Sequence, residues 1–117
     1  MKIDTGSRVI LGAAIIGGPA SLLARNVGPE PANFGLNPDS ILTNPYLKFF
    51  SGDNKIAEND DWDLADASLF DAAGAFPFQP GSKDAALHVE ASTGSHTDHA
   101  TGIGTGGVAL IELYELN

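Results

Sequence analysis

The chain has 117 residues, the length of one ordinary domain, and 43% of them are hydrophobic while 18% are charged. Fifteen acidic against six basic residues give a net charge of -9, which repels nucleic-acid phosphates and anionic lipid surfaces. There is no cysteine, so disulfides and thiolate metal sites are excluded. Fourteen glycines and seven prolines indicate many turns. We predict one globular domain over residues 1–117, rich in short strands.

The segment Val9–Gly18 reads VILGAAIIGG and carries neither charge nor hydroxyl. A membrane-spanning helix needs about 20 apolar residues, and a Gly-Gly-Pro sequence ends this run well before that. A secretion signal is the main alternative because basic residues precede the run, but Asp4 lies among them and no small-x-small cleavage site follows. The length and the β-branched residues favour a strand. We therefore expect any export signal to have been removed or to be missing.

Turn-forming residues divide the next part of the chain. Ala20–Val27 is predicted as a second strand, in an antiparallel hairpin with the first. Gly28–Pro45 is a loop, because its four prolines and its many Asn and Asp residues are incompatible with a central strand or a long helix. Tyr46–Phe50 and Lys55–Glu58 flank the sequence SGDN and are predicted as a compact hairpin.

One short helix and several further strands follow. Ala65–Ala73 contains helix-forming residues, with Asp63 as its cap and Gly74 as its end. The remaining strands are predicted at Ala85–Glu90, Thr97–Ile103 and Val108–Leu116. The glycine-rich GIGTGG before the last of these is predicted as a tight hairpin turn. Short strands at nearly regular spacing indicate an all-β fold, an antiparallel β-sandwich (Ig-like or jelly-roll-like) of about seven to eight strands with one short helix.

Four segments together carry a resemblance to a known kind of module: LLARNVGPEPANFGL, NPYLKFFSGDNKIAENDDW, GAFPFQPGSKDAAL and TGGVALIELYEL. With them the sequence resembles a β-sandwich module found near the C-terminus of large secreted or surface-displayed bacterial proteins, and is distantly similar to pre-peptidase C-terminal domains. The resemblance implies an extracellular or cell-surface location and a non-enzymatic role. It supplies no catalytic residues.

The segment Thr93–Gly102 departs from that resemblance, because it is polar where related modules have an apolar strand. It is therefore predicted as an edge strand or as an exposed face. His96 and Asp98 would share one face of a strand while His99 points to the other, so the segment supplies at most two ligands to a metal. A solvated polar strand is the preferred interpretation.

The acidic loop around the single tryptophan offers candidate metal ligands. Asp60, Asp61 and Asp63 carry the carboxylate oxygens that Ca²⁺ prefers, although the spacing is not that of an EF-hand. The alternative is that Asn59 and Asp60 hydrogen-bond their own turn while Trp62 packs on the core of the sandwich. The latter interpretation is preferred, with structural calcium as the candidate cofactor.

No catalytic constellation is recognisable, so we predict that the protein is not an enzyme and has no other cofactor. The serines lie outside a G-x-S-x-G setting, and GIGTGG lacks the lysine of a phosphate-binding loop.

The first and last strands are apolar on both faces, whereas a sandwich strand normally alternates apolar with polar residues. A small sandwich has one core, so we expect copies of the protein to cover the remaining surface. The predicted interface consists of Val9, Ile10, Leu11, Ile15, Ile16, Val108, Leu110 and Tyr114. The function predicted is a structural, self-assembling subunit of an extracellular or cell-surface fibre, with residues 1–18 as a strand that can be donated to a neighbour. The alternative is an adhesion module that binds carbohydrate or protein through Trp62, Tyr46 and the acidic loops.

Overall fold

The computed structural model describes residues 2–3, 9–28, 44–102 and 107–116. Its strands are β1 (Lys2–Ile3), β2 (Val9–Ile15), β3 (Ala20–Val27), β4 (Pro45–Ser51), β5 (Asn54–Asn59), β6 (Ala85–Ala91), β7 (Gly94–Gly102), β8 (Gly107–Val108) and β9 (Leu110–Leu116). A 3-10 turn (Leu64–Asp66) leads directly into the helix α1 (Ala67–Ala73). Most of the predicted proline-rich loop and the predicted turn at GIGTGG fall at residues 29–43 and 103–106, outside the described residues.

Two antiparallel sheets pack face to face, which confirms the predicted all-β sandwich with one short helix. The four-stranded sheet has the order β2-β7-β4-β5, and the three-stranded sheet has the order β6-β3-β9. The short strands β1 and β8 form a separate two-stranded ladder. Among the described residues, no helix is long and apolar enough to cross a membrane.

The three-stranded sheet has a hydrophobic cluster on each of its faces. Leu22 and Ala24 of β3 point into the core between the two sheets, where they join Leu47 and Phe49 of β4. Their neighbour Leu23 points the other way, into a second cluster that contains three aromatic side chains, Trp62, Phe70 and Phe78. Because both faces are covered, β3 is buried almost throughout and its sequence ASLLARNV shows no simple alternation.

The predicted hairpin between the first two long strands is wrong. β2 pairs with β7 in the four-stranded sheet, whereas β3 pairs with β6 and β9 in the other sheet. The segment 16–19 carries the chain from one sheet to the other, and Gly17 and Gly18 have φ values of 82° and 132° there. These left-handed backbone conformations favour glycine, so the Gly-Gly sequence forms a crossing between layers rather than a hairpin turn.

The two local predictions in the middle of the chain are confirmed. β4 and β5 form the expected hairpin, with Gly52 at a φ of 58° in its turn. Asp63 accepts a hydrogen bond of 3.0 Å from the backbone N–H of Ala65, and Gly74 ends the helix in a left-handed conformation. The first turn of the predicted helix is of the 3-10 type, so α1 itself starts at Ala67.

The prediction for the polar segment Thr93–Gly102 is wrong. Its strand, β7, is a central strand that pairs with β2 on one side and β4 on the other. His96 and Asp98 point into the core and are buried, while His99 on the opposite face is half-buried. Apolar neighbours on both sides set the position of β7, and this long-range pairing overrides its polar composition.

Candidate functional site

The sandwich formed by the described residues has four edge strands, and β2 differs from the other three. β5 carries Lys55 and Glu58, β6 carries Glu90, and β9 carries Glu112 and Glu115. β2 reads VILGAAI and has neither charge nor proline. Proteins usually protect sheet edges from pairing with other chains by placing charged residues, prolines or bulges there. β2 has the composition of a strand that can accept a partner.

The outer face of β2 is apolar and exposed. Ile10 is 48% exposed, and Ile16, directly after the strand, is 88% exposed. Gly12 lies between them on the same face, and a Cβ atom placed there would meet no atom within 4 Å. The inner face, which includes Leu11 and Ile15, is half-buried. β2 therefore presents apolar surface on both faces, as its sequence predicts.

The second predicted contribution to the interface, β9, is only partly available. Leu110 is 43% exposed. Tyr114 packs on the second cluster, and its hydroxyl donates a hydrogen bond to Glu112. The side chain of Val108 lies outside the described residues. β6 faces β4 and β5 across the core and β3 faces β4, so the β9 edge lies on the same side of the sandwich as β2.

A buried arginine organises the second cluster. The guanidinium of Arg25 lies 4.1 Å from the ring centre of Phe78 and 4.4 Å from that of Phe76. Its Nη1 donates a 2.7 Å hydrogen bond to the carbonyl of Phe76. The sequence predicts ASLLARNV as a strand but does not assign this role to Arg25, although an arginine within an apolar strand is a signal for it.

The core between the sheets contains an unusual carboxyl group, that of Asp98. Its side chain is fully buried, and neither carboxyl oxygen has a hydrogen-bond partner among the described residues. Burial raises the pKa of Asp98 to about 7, because an apolar environment disfavours the charged form. Two residues before it, His96 donates a 2.7 Å hydrogen bond from Nε2 to the carbonyl of Ser92 and stacks on Phe49. The Asp98 carboxyl group is thus part of the core, on the strand next to the edge strand β2.

The predicted calcium ligands occupy an exposed loop. Asp60, Asp61 and Asp63 are exposed, and Asp63 caps the 3-10 turn. Within the described ranges, no three His, Asp or Glu side chains are arranged to hold a metal ion. Asn59 donates a hydrogen bond to the carbonyl of Asp61, as a turn-stabilising residue does.

Trp62 is buried, but behind the three-stranded sheet and not between the two sheets. Its ring is 5.3 Å from that of Phe70 and 5.5 Å from that of Phe78, centre to centre. Only 8% of the side chain is exposed, so this ring offers no open face on which a sugar can stack. Tyr46, the other aromatic residue considered for ligand binding, is half-buried and donates a hydrogen bond to Glu58.

A serine and a histidine meet on the outer face of the three-stranded sheet, in a shallow depression of about 300 Å³. Ser21 Oγ lies 2.7 Å from His88 Nε2, and Glu90 lies 3.4 Å from the same nitrogen. In a catalytic triad, the carboxylate contacts the other ring nitrogen and thereby orients the base toward the serine. The three side chains do not have that arrangement.

No protein-family model, curated protein or solved structure matches this chain. The similarity to secreted bacterial sandwich modules therefore stays a prediction from the sequence.

Proposed function

We propose that the protein is a structural subunit that associates with copies of itself through the edge of β2. The observation that carries the proposal is an uncharged, seven-residue edge strand with exposed apolar side chains on its outer face. Addition of a strand to such an edge supplies backbone hydrogen bonds along its length, and side-chain burial adds to them.

A second copy of β2 is a well-matched partner for this edge. Antiparallel pairing about Gly12 overlaps all seven residues, placing Val9 opposite Ile15 and Leu11 opposite Ala13. These side chains lie on the inner face of both copies, so the two cores are continuous across the pair. The outer faces meet in the same way, with Ile10 opposite Ala14. The two four-stranded sheets then form one eight-stranded sheet.

The charge distribution is compatible with this contact. Identical copies with a net charge of -9 repel each other at long range. The segment 9–20 has no charged residue, so pairing of β2 with itself brings no like charges together. Repulsion elsewhere keeps free subunits soluble, while the neutral strand provides the local attraction.

A pair formed about a two-fold axis is closed, so growth into a fibre requires a second contact. Ile56 on β5 is 46% exposed and lies at the opposite edge of the same sheet, where its side chain can pack on a neighbour without strand pairing at the charged β5 edge. The proposed extracellular or cell-surface fibre, as expected from the sequence, is thus a chain of pairs.

The test compares one substitution at each edge. Gly12→Lys introduces a side chain into open space, so the fold is retained, but it places two lysines opposite each other in the pair. Ile56→Lys puts the same charge on β5. Light scattering should show wild type and Ile56→Lys as pairs or larger assemblies and Gly12→Lys as a monomer, and negative-stain microscopy should show fibres for wild type alone. A monomeric wild type at all concentrations would refute the proposal.

A further inference from the structure

Asp98 lies at the centre of the strand that holds β2 in place. In the ladder between β2 and β7 it is directly opposite Leu11, and on its other side it is opposite Phe49 of β4. Leu11 belongs to an edge strand, which can open without disturbing the rest of the sheet. Opening of β2 would therefore give water access to this carboxyl group.

Among the described residues, few charged or titratable groups lie around Asp98. On β7 itself the neighbour on the same face is His96, whose Nδ1 also lacks a hydrogen-bond partner among the described residues. On β9, Glu115 shares the inward-facing register but is exposed, at the end next to Gly17 and Gly18. In the described parts of β2, β3, β4, β5 and β6, the side chains that face this core are uncharged. Arg25 points to the opposite face of β3.

We infer that Asp98 is a protonation-dependent latch on β2: the neutral carboxyl group holds the edge strand closed, and the ionised group favours its opening. Neither oxygen of Asp98 has a hydrogen-bond partner among the described residues, so ionisation of the carboxyl group is favourable only where water reaches it. The closed state therefore binds the proton more tightly than the opened state does.

The direction of the pH dependence follows from this difference. Asp98 has a pKa of about 7 when β2 is closed and the ordinary value of an aspartate when β2 is open. Below both pKa values the opening of β2 does not depend on pH, because Asp98 is protonated in both states. As the pH rises between them, the opened state loses its proton while the closed state keeps it, so opening increases by about tenfold per pH unit. Above pH 7 both states are ionised and the dependence levels off.

Hydrogen exchange on the monomer tests the latch by itself. We choose the Gly12→Lys variant, with rates corrected for the intrinsic effect of pH. The opening constants of the amides of β2 should rise about tenfold per pH unit from about pH 5 to 7 and then remain level. The amides of β3 should open far less. Equal opening constants in β2 and β3 would mean that only global unfolding exposes Asp98, and would overturn the inference.

Two neutral replacements keep this experiment decisive. Asp98→Asn and Asp98→Leu remove the ionisable group, so the slope in β2 should disappear in whichever variant folds. His96→Gln should retain the slope. A slope that survives in an Asp98 variant, or that disappears in His96→Gln, would show that another group is responsible.

Regulation of assembly is the consequence, and this step rests on the proposed function. Since the pair needs β2 in place, wild-type association should weaken more between pH 5 and 7.5 than association of Asp98→Asn does over the same range. The control also removes the general effect of net charge, which changes with pH in both proteins. If the exchange slope is found but no pairs form at any pH, the proposed function fails and the latch stands. If pairs form without the slope, the latch alone fails.

Discussion

Arg25 Nε lies 2.9 Å from Glu112 Oε1, and this ion pair joins the central strand of the three-stranded sheet to its edge strand β9. The two atoms are close but do not have the angular geometry of a hydrogen bond, so the attraction is mainly electrostatic. The side chain of Arg25 is fully buried and that of Glu112 nearly so. A buried ion pair adds little net stability, but removal of one partner is strongly destabilising because the other charge is then buried without compensation.

Replacement of Arg25 should therefore be strongly destabilising. Arg25→Ala leaves the Glu112 carboxylate without its partner and opens a cavity among the aromatic rings, and we expect a loss of about 3–5 kcal/mol in the free energy of unfolding. Urea denaturation measures it. The double variant Arg25→Met with Glu112→Leu removes both charges and retains much of the volume, so it should be more stable than Arg25→Met alone. Equal stability of these two variants would contradict a role for the ion pair.

The second cluster should contribute strongly to stability. Phe70 is fully buried and contacts both Trp62 and Phe78, so Phe70→Ala should lower the free energy of unfolding by about 3–5 kcal/mol. Leu64 is 64% exposed, and Leu64→Ala should change the free energy of unfolding by less than about 0.5 kcal/mol. Fluorescence of Trp62, the only tryptophan, reports unfolding directly. Similar losses in the two variants would mean that the cluster is loosely packed.

The parts of the fold that the sequence predicted correctly are governed by local signals. The turn SGDN specifies the β4–β5 hairpin, and Asp63 and Gly74 mark the ends of the helical segment. The position of β7 was not accessible in this way, because it depends on which strands pair with it from distant parts of the chain. An aspartate is normally predicted at the surface. Asp98 lies in the core because its strand pairs with β2 and β4, where Leu11 and Phe49 are its neighbours.

In the candidate site as well, local features could be predicted from the sequence and long-range contacts could not. β2 lies within the ten-residue uncharged segment Val9–Gly18, so its apolar character is visible in the sequence. The roles of Tyr114 and Arg25 were not, because the cluster that contains them is assembled from β3, β9 and the segment around α1. The sequence shows which side chains are apolar, whereas only the three-dimensional structure shows which of them are already buried.

Asp63 provides a direct comparison between a capping role and a metal-binding role. Asp63→Ala should lower the free energy of unfolding by about 1 kcal/mol, because the backbone N–H of Ala65 loses its acceptor. Asp61→Ala, in the same exposed loop, should have little effect. We expect both results to be the same in EDTA and in millimolar Ca²⁺, with thermal unfolding as the measurement. An increase in the melting temperature of the wild type on addition of Ca²⁺, absent from both variants, would support the calcium site instead.

Salt should strengthen self-association if β2 is the contact. Each copy has a net charge of -9, so ions screen a repulsion that opposes pairing, while the contact between the neutral β2 strands has no ion pair to lose. Light scattering at fixed protein concentration should show the fraction of pairs increasing from low ionic strength to about 0.5 M sodium chloride, where the screening length falls below about 5 Å. Gly12→Lys should pair less than wild type over the same range, because the two opposed lysines lie closer together than the screening length and their repulsion is only partly screened. A decrease in pairing with salt would indicate a contact built on opposite charges, and the acidic surface around β5 and β9 would then replace β2 as the interface to investigate.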